Sequence, residues 1–209
     1  MDKKIKKIIV TAILIVAVLA LSVTVYAYLQ NTLEQSNKFE IAEGSVAVTE
    51  VFTEPETMSR SNEFEKQVMV ENKGSSDEFV RVYLDFSDSR VRDKSTIVYS
   101  KDDTTAEKTW AGFLGDLPSG WEYIPDTAVG DDAILGGYFY YKKILAPGDV
   151  TPALIEKVKT TFSDSDNPDE ITGFDIIVYT ESVQTTEIDA AGTQYNDSDW
   201  KTAWRSFLQ

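Results

Sequence analysis

Apolar and polar residues alternate along most of the chain beyond Ser45, a period that predicts β-strands. In Ser45–Phe52, Val46, Val48, Glu50 and Phe52 fall on one side and Ala47, Thr49 and Val51 on the other. Phe64–Glu71 sets Phe64, Val68 and Val70 on one face. Phe79–Phe86 groups Val80, Val82, Leu84 and Phe86, with Phe79, Arg81, Tyr83 and Asp85 opposite. Between these two runs lies Asn72-Lys73-Gly74-Ser75-Ser76. Its Asn and Ser side chains can bond nearby backbone and its Gly tolerates positive φ, so the segment predicts a turn between antiparallel or neighbouring strands. Ile97–Ser100, Trp121–Ile124, Gly137–Leu145 and Phe174–Gln184 read as further strands. Phe174–Gln184 is the strongest, being rich in β-branched and aromatic residues. Leu154–Phe162 places Leu154, Glu156, Val158, Thr160 and Phe162 on one face. Leu117-Pro118-Ser119-Gly120 and Ala146-Pro147-Gly148-Asp149 read as turns.

Two stretches depart from this period. Asp102–Leu114 is open between strand and helix: Ala106, Trp110, Phe113 and Leu114 fit one helical face, with Thr104 or Thr105 as its cap. Near the C-terminus, Trp200, Ala203, Trp204 and Phe207 recur at helical spacing behind Asn196, Asp197 or Ser198. That pattern predicts a short amphipathic helix docked by its two tryptophans. A series of eight or nine short strands with little helix predicts an all-β fold, a jelly-roll-like antiparallel β-sandwich with a short C-terminal helix. Residues 45–209 are expected to form it as a single domain.

The first 30 residues follow another rule. Lys3, Lys4, Lys6 and Lys7 precede a run from Ile8 to Leu21 that is apolar apart from Thr11. Val25 and Ala27 stand at −3 and −1 of a cut between Ala27 and Tyr28, so residues 1–27 read as a secretory signal peptide. The uncharged stretch from Lys7 to Glu34 also meets the roughly 20 residues a bilayer span needs. Retention as an anchor is thus the alternative, and an uncleaved segment is the only membrane contact expected. Lysines ahead of the run keep the amino end inside, and both readings export the remainder.

Removing residues 1–27 takes away four of 20 basic and one of 35 acidic residues, leaving 16 against 34 and a net charge of −18. Such a surface repels nucleic acid and anionic membranes, and no nucleic-acid partner is expected. The chain has no Cys and no His. Disulfides, Ser-His-Asp triads, Cys nucleophiles and His- or Cys-ligated zinc are therefore excluded. No catalytic residue and no resident cofactor is expected. Calcium is the metal that would suit the chain, because Asp164, Asp166, Asp169 and Glu170 crowd oxygen donors into one acidic loop. Asp169 occupies the place of the turn glycine of a calcium-binding helical hand, so a solvated acidic loop is the simpler reading.

The run from Ala27 to Phe52, AYLQNTLEQSNKFEIAEGSVAVTEVF, resembles the start of the SipW-dependent exported proteins of Gram-positive bacteria, the TasA and camelysin-like family. Ala27, Tyr28, Leu29, Asn37, Phe39, Gly44, Val46 and Glu50 carry the likeness, with one extra residue between Phe39 and Gly44. Lys66–Leu84, Gly137–Val158 and Phe174–Thr185 are similar to later family segments, whereas Asp88–Pro118 matches none. The resemblance implies a jelly-roll-like sandwich, export, and cleavage by a dedicated signal peptidase as a partner. It further implies, for fibre-forming members, self-association by donor-strand exchange. Residues 28–44 would be the N-terminal segment that supplies the donor strand, with Tyr28, Leu29, Leu33, Phe39 and Ile41 as its apolar residues. The expected function is that of a secreted, non-enzymatic structural protein of the extracellular matrix or cell surface, a biofilm-type fibre subunit or fibre accessory. A monomeric surface adhesin or binding module is the alternative. A camelysin-like peptidase is a remoter one, since the HExxH zinc site of such enzymes needs histidines this chain lacks.

Overall fold

The computed structural model describes residues 46–52, 61–163, 174–186 and 194–209. Nine strands among them form two sheets, and every pairing is antiparallel. The five-stranded sheet runs β1 (Val46–Phe52), β2 (Ser61–Asn72), β8 (Ile155–Thr161), β4 (Ser95–Lys101), β5 (Thr104–Thr109). The four-stranded sheet runs β6 (Trp121–Ile124), β7 (Tyr138–Leu145), β3 (Glu78–Phe86), β9 (Ile176–Gln184). The expected all-β sandwich is the observed fold. The predicted face of β3 is also observed: Val80, Val82, Leu84 and Phe86 are buried in the inter-sheet core.

That core explains why the sheets face each other. Phe64, Val68 and Val70 from β2, Ile97 and Tyr99 from β4, Phe139 from β7 and Val158 from β8 all lie in it. Phe113 meets Tyr99 edge-on at 5.3 Å and Phe139 at 5.7 Å, and Trp110 meets Phe86 edge-on at 5.5 Å. Each such ring withdrawn from water contributes about 1.5–3 kcal/mol. Val46 and Val48 pack against the same cluster, as members of an inward-facing first strand would.

The segment left open between helix and strand divides. Thr104–Thr109 pairs along β4, from Lys101↔Thr104 to Thr96↔Thr109, and only Trp110–Leu114 coils, as a five-residue helix α2. The cap is neither Thr104 nor Thr105, because both lie in the strand. The Thr109 side chain accepts from the Gly112 amide at 3.3 Å. Strand and helix point Ala106, Trp110, Phe113 and Leu114 at one core, which is why the same four residues also fit a single helical face. Asp102 and Asp103, at φ of 51° and 60°, make the two-residue turn between β4 and β5, where aspartate tolerates the left-handed region. A short helix α1, Ser89–Asp93, and a 3-10 turn, Gly130–Leu135, escaped the pattern because neither is long enough to show a period.

The predicted turn after β2 is built by a buried asparagine. The Asn72 side-chain amide donates to the carbonyls of Ser76 and Leu145, both at 2.8 Å, and its Oδ1 accepts from the Gly74 amide at 2.8 Å. One residue thereby shapes the turn and ties it to the end of β7. At the other turn predicted from Leu117–Gly120, Gly120 has φ of 89°, and a Cβ there would stand 2.7 Å from the Tyr141 ring.

Near the β4–β5 hairpin, Asp116 accepts from Lys101 and pairs with Lys108 at 3.2 Å. The two ammonium groups pull its carboxyl from 3.8 down to about 2. A folded-state pKa below the unfolded one gives stability that is complete above the unfolded value and is lost as pH falls toward the folded value. Urea midpoints should therefore fall from about pH 4 to about pH 2, and the Asp116→Asn variant should show a shallower fall. Equal slopes in the two proteins would remove Asp116 from the account.

Candidate interaction surface

The outer faces of the two sheets differ in kind. On the five-stranded sheet, Glu63 of β2 meets Lys157 at 3.2 Å and Lys159 at 3.7 Å, both on β8, and Lys159 reaches Glu107 of β5 at 2.5 Å. This ladder of alternating charge is exposed, each pair is worth little, and it keeps the face solvated. The outer positions of the four-stranded sheet instead carry Phe79, Arg81, Tyr83, Tyr138, Tyr140, Tyr179 and Glu181.

One half of that aromatic face is covered. The C-terminal helix α3, Trp200–Leu208, lays Trp200, Ala203 and Trp204 on Phe79, Ile124, Leu135 and Tyr140. A 3-10 turn, Asp197–Asp199, leads into it and starts in a capping box, in which the Asp199 side chain accepts from the Asn196 amide at 3.0 Å and the Asn196 side chain accepts from the Ser198 amide at 3.0 Å. The polar side of α3 is held by Asp132 in the 3-10 turn Gly130–Leu135, which pairs with Lys201 at 3.1 Å and Arg205 at 2.5 Å. Both cations hold the Asp132 carboxyl below its ordinary value, Arg205 first.

Arg81 sits where the covered half meets the open half. Its guanidinium donates to Glu181 Oε2 from Nε at 2.6 Å and from a terminal nitrogen at 2.5 Å, and to the Tyr140 hydroxyl at 3.1 Å. It also lies 3.9 Å from the centre of the Tyr138 ring and 4.6 Å from that of Trp204. Tyr140 passes the link on, donating its own hydroxyl to the Leu135 carbonyl at 2.8 Å. Burial pushes the Tyr140 phenol above its ordinary pKa, against the opposing pull of Arg81.

The other half is open. Tyr138, Tyr83 and Tyr179 stand side by side across β7, β3 and β9, with ring centres 5.9 and 6.1 Å apart. Tyr83 and Tyr179 are register partners. Tyr179 is 64% exposed, which is unusual for so large a ring on a sheet. Desolvation, then the Asp85 charge, raises the Tyr83 pKa, so this ring stays a neutral phenol near neutral pH. The row ends at a sheet edge. Among the described residues β9 pairs with β3 alone, along nine residues, and ends its sheet. Edge strand β1 lies against β9 on the same flank of the sandwich.

Several residues singled out from the sequence lie outside the described residues. They are Ala27 and Tyr28 at the expected cut, Leu29, Leu33, Phe39 and Ile41 of the expected donor, and Asp164, Asp166, Asp169 and Glu170 of the acidic loop. Among the described residues no group of three or more acidic side chains is gathered as a metal site, and no helix is long and apolar enough to cross a membrane. Trp200 and Trp204 are buried, as docking residues of the last helix. The tyrosine row was not foreseen. Its signal lies in the outward positions of β3, β7 and β9, where aromatic residues take places that a solvated face gives to polar ones. Comparison with models of protein families, with curated proteins and with solved structures finds no match to this chain.

Proposed function

We propose that the protein is exported and acts, without catalysis, as a structural component of an extracellular matrix or cell surface, assembling by strand exchange. The observation that carries this reading is the place of β9 at the end of its sheet, paired with β3 among the described residues. An extended segment from a second copy could complete that edge, its backbone supplying hydrogen bonds and its alternate side chains filling positions over the core. Contacts of this head-to-tail kind propagate into filaments. Residues 28–44 are the proposed donor, released by a signal peptidase, as the resemblance to SipW-dependent proteins implies. Jelly-roll connectivity belongs to the same proposal. Its support is the placement of β8 between β2 and β4 in one sheet and of β7 between β3 and β6 in the other.

Protein beginning at Tyr28 should form filaments visible by electron microscopy, and deletion of residues 28–43 should abolish them while leaving the sandwich folded by circular dichroism. Protein that stays monomeric at high concentration across a range of pH would reject strand exchange. A second reading, a monomeric adhesin or binding module, is favoured by the open tyrosine row.

A further inference from the structure

The tyrosine row reaches the end of the sheet at β9 but does not depend on strand addition there, and its geometry selects among ligands. The planes of Tyr83 and Tyr138 are turned 64° from each other, and those of Tyr83 and Tyr179 by 33°. Flat stacking of successive sugar rings calls for aromatic faces in one plane, and these are not. Rings turned toward one another present their electron-rich faces from several directions, an arrangement that suits a cation. The surface already holds an example, since the Arg81 guanidinium lies 3.9 Å from the Tyr138 ring centre.

The surrounding charges agree. Both bonds from Arg81 to Glu181 fall on Oε2, and Oε1 accepts nothing among the described residues. The Glu181 side chain is 47% exposed, whereas that of Arg81 is only 6% exposed, so an approaching group meets the carboxylate and not the guanidinium. Two residues along β3 from Tyr83, Asp85 pairs with Arg92 at 3.3 Å, and Arg92 shares its charge with Asp93, also at 3.3 Å. The charge of Arg92 is thus neutralised, as that of Arg81 is by Glu181. The whole chain carries −15, which draws basic partners from a distance.

We infer that Tyr83, Tyr138 and Tyr179, with Glu181, form a docking site for a lysine- or arginine-bearing extended segment of a protein partner. Tyr179 supplies the most accessible ring, and Glu181, two residues along the same strand and on the same face, supplies the counter-charge. The site stands whether or not β9 accepts a strand, so filament formation and cation binding can fail separately.

Calorimetric titration of the full chain with hexalysine tests it, with hexaglutamate and cellohexaose run alongside. Hexalysine should bind. Tyr179→Ala should raise its Kd about fivefold, and Tyr179→Phe, which keeps the ring, should stay close to the wild type. Tyr83→Ala is the second variant and should weaken binding in the same direction. An unchanged Kd in Tyr179→Ala would overturn the site in favour of diffuse attraction to an acidic surface. Cellohexaose binding that is lost in Tyr179→Ala while hexalysine is unaffected would overturn it in favour of a glycan.

Discussion

Replacing Trp204 by alanine is expected to lower the unfolding free energy by about 3–5 kcal/mol, the range for truncating a fully buried tryptophan. Trp204 has no exposed surface, meets Tyr140 edge-on at 5.8 Å and Phe207 edge-on at 6.0 Å, and carries Arg81 over its ring. Against a total stability of about 5–15 kcal/mol for a typical protein, this is a large share. The indole nitrogen has no hydrogen-bond partner among the described residues, so Trp204→Phe sacrifices packing but no bond. It should cost well under half as much. Urea unfolding measures both. Because Trp204 sits on the outer face of the four-stranded sheet and not between the sheets, hydrogen exchange should quicken first in Trp200–Leu208 and leave the amides of β2 and β8 protected. A variant with all amides loosened equally would show that the helix is integral to the central core.

Arg81→Ala is expected to cost about 3 kcal/mol, from the loss of charge-assisted hydrogen bonds and desolvated cation–π contacts. Glu181 is half exposed and can rehydrate once its partner is gone, which keeps the cost below that of stranding a fully buried charge. Arg81→Lys should recover little of it. An ammonium has no planar fork to bond Glu181 and Tyr140 together while lying against Tyr138. Arg81 and Trp204 touch, so the Arg81→Ala, Trp204→Ala double variant should lose less than the sum of the single losses. Additive losses would mean that the two residues act independently.

The sandwich was legible because burial writes itself into the sequence with a period of two. The alternation of Val80, Val82, Leu84 and Phe86 against Phe79, Arg81, Tyr83 and Asp85 assigns both faces of β3 correctly. The last helix was legible because Trp200, Ala203 and Trp204 repeat at helical spacing. Thr104–Leu114 was not, since a strand and a short helix that feed one core leave an apolar pattern that either element could produce. Ile155 shows a finer failure. It is buried out of phase with Val158 because the register between β2 and β8 shifts between Glu65 and Val68.

The sequence by itself determined what chemistry is excluded, through the absence of His and Cys, and the strand-dominated class, through local periodicity. Periodicity is a property of one segment and needs no partner to be read. Which strands become neighbours is a property of the closed chain. Only the tertiary structure decided that Tyr138, Tyr83 and Tyr179, far apart in sequence, stand in one row. Tertiary pairing also decided that Arg81 meets Glu181, 100 residues away, and that the last helix covers half of that face and leaves the other half open. The cause is backbone pairing between distant strands, which sets side chains beside one another with no trace in the local pattern of either strand.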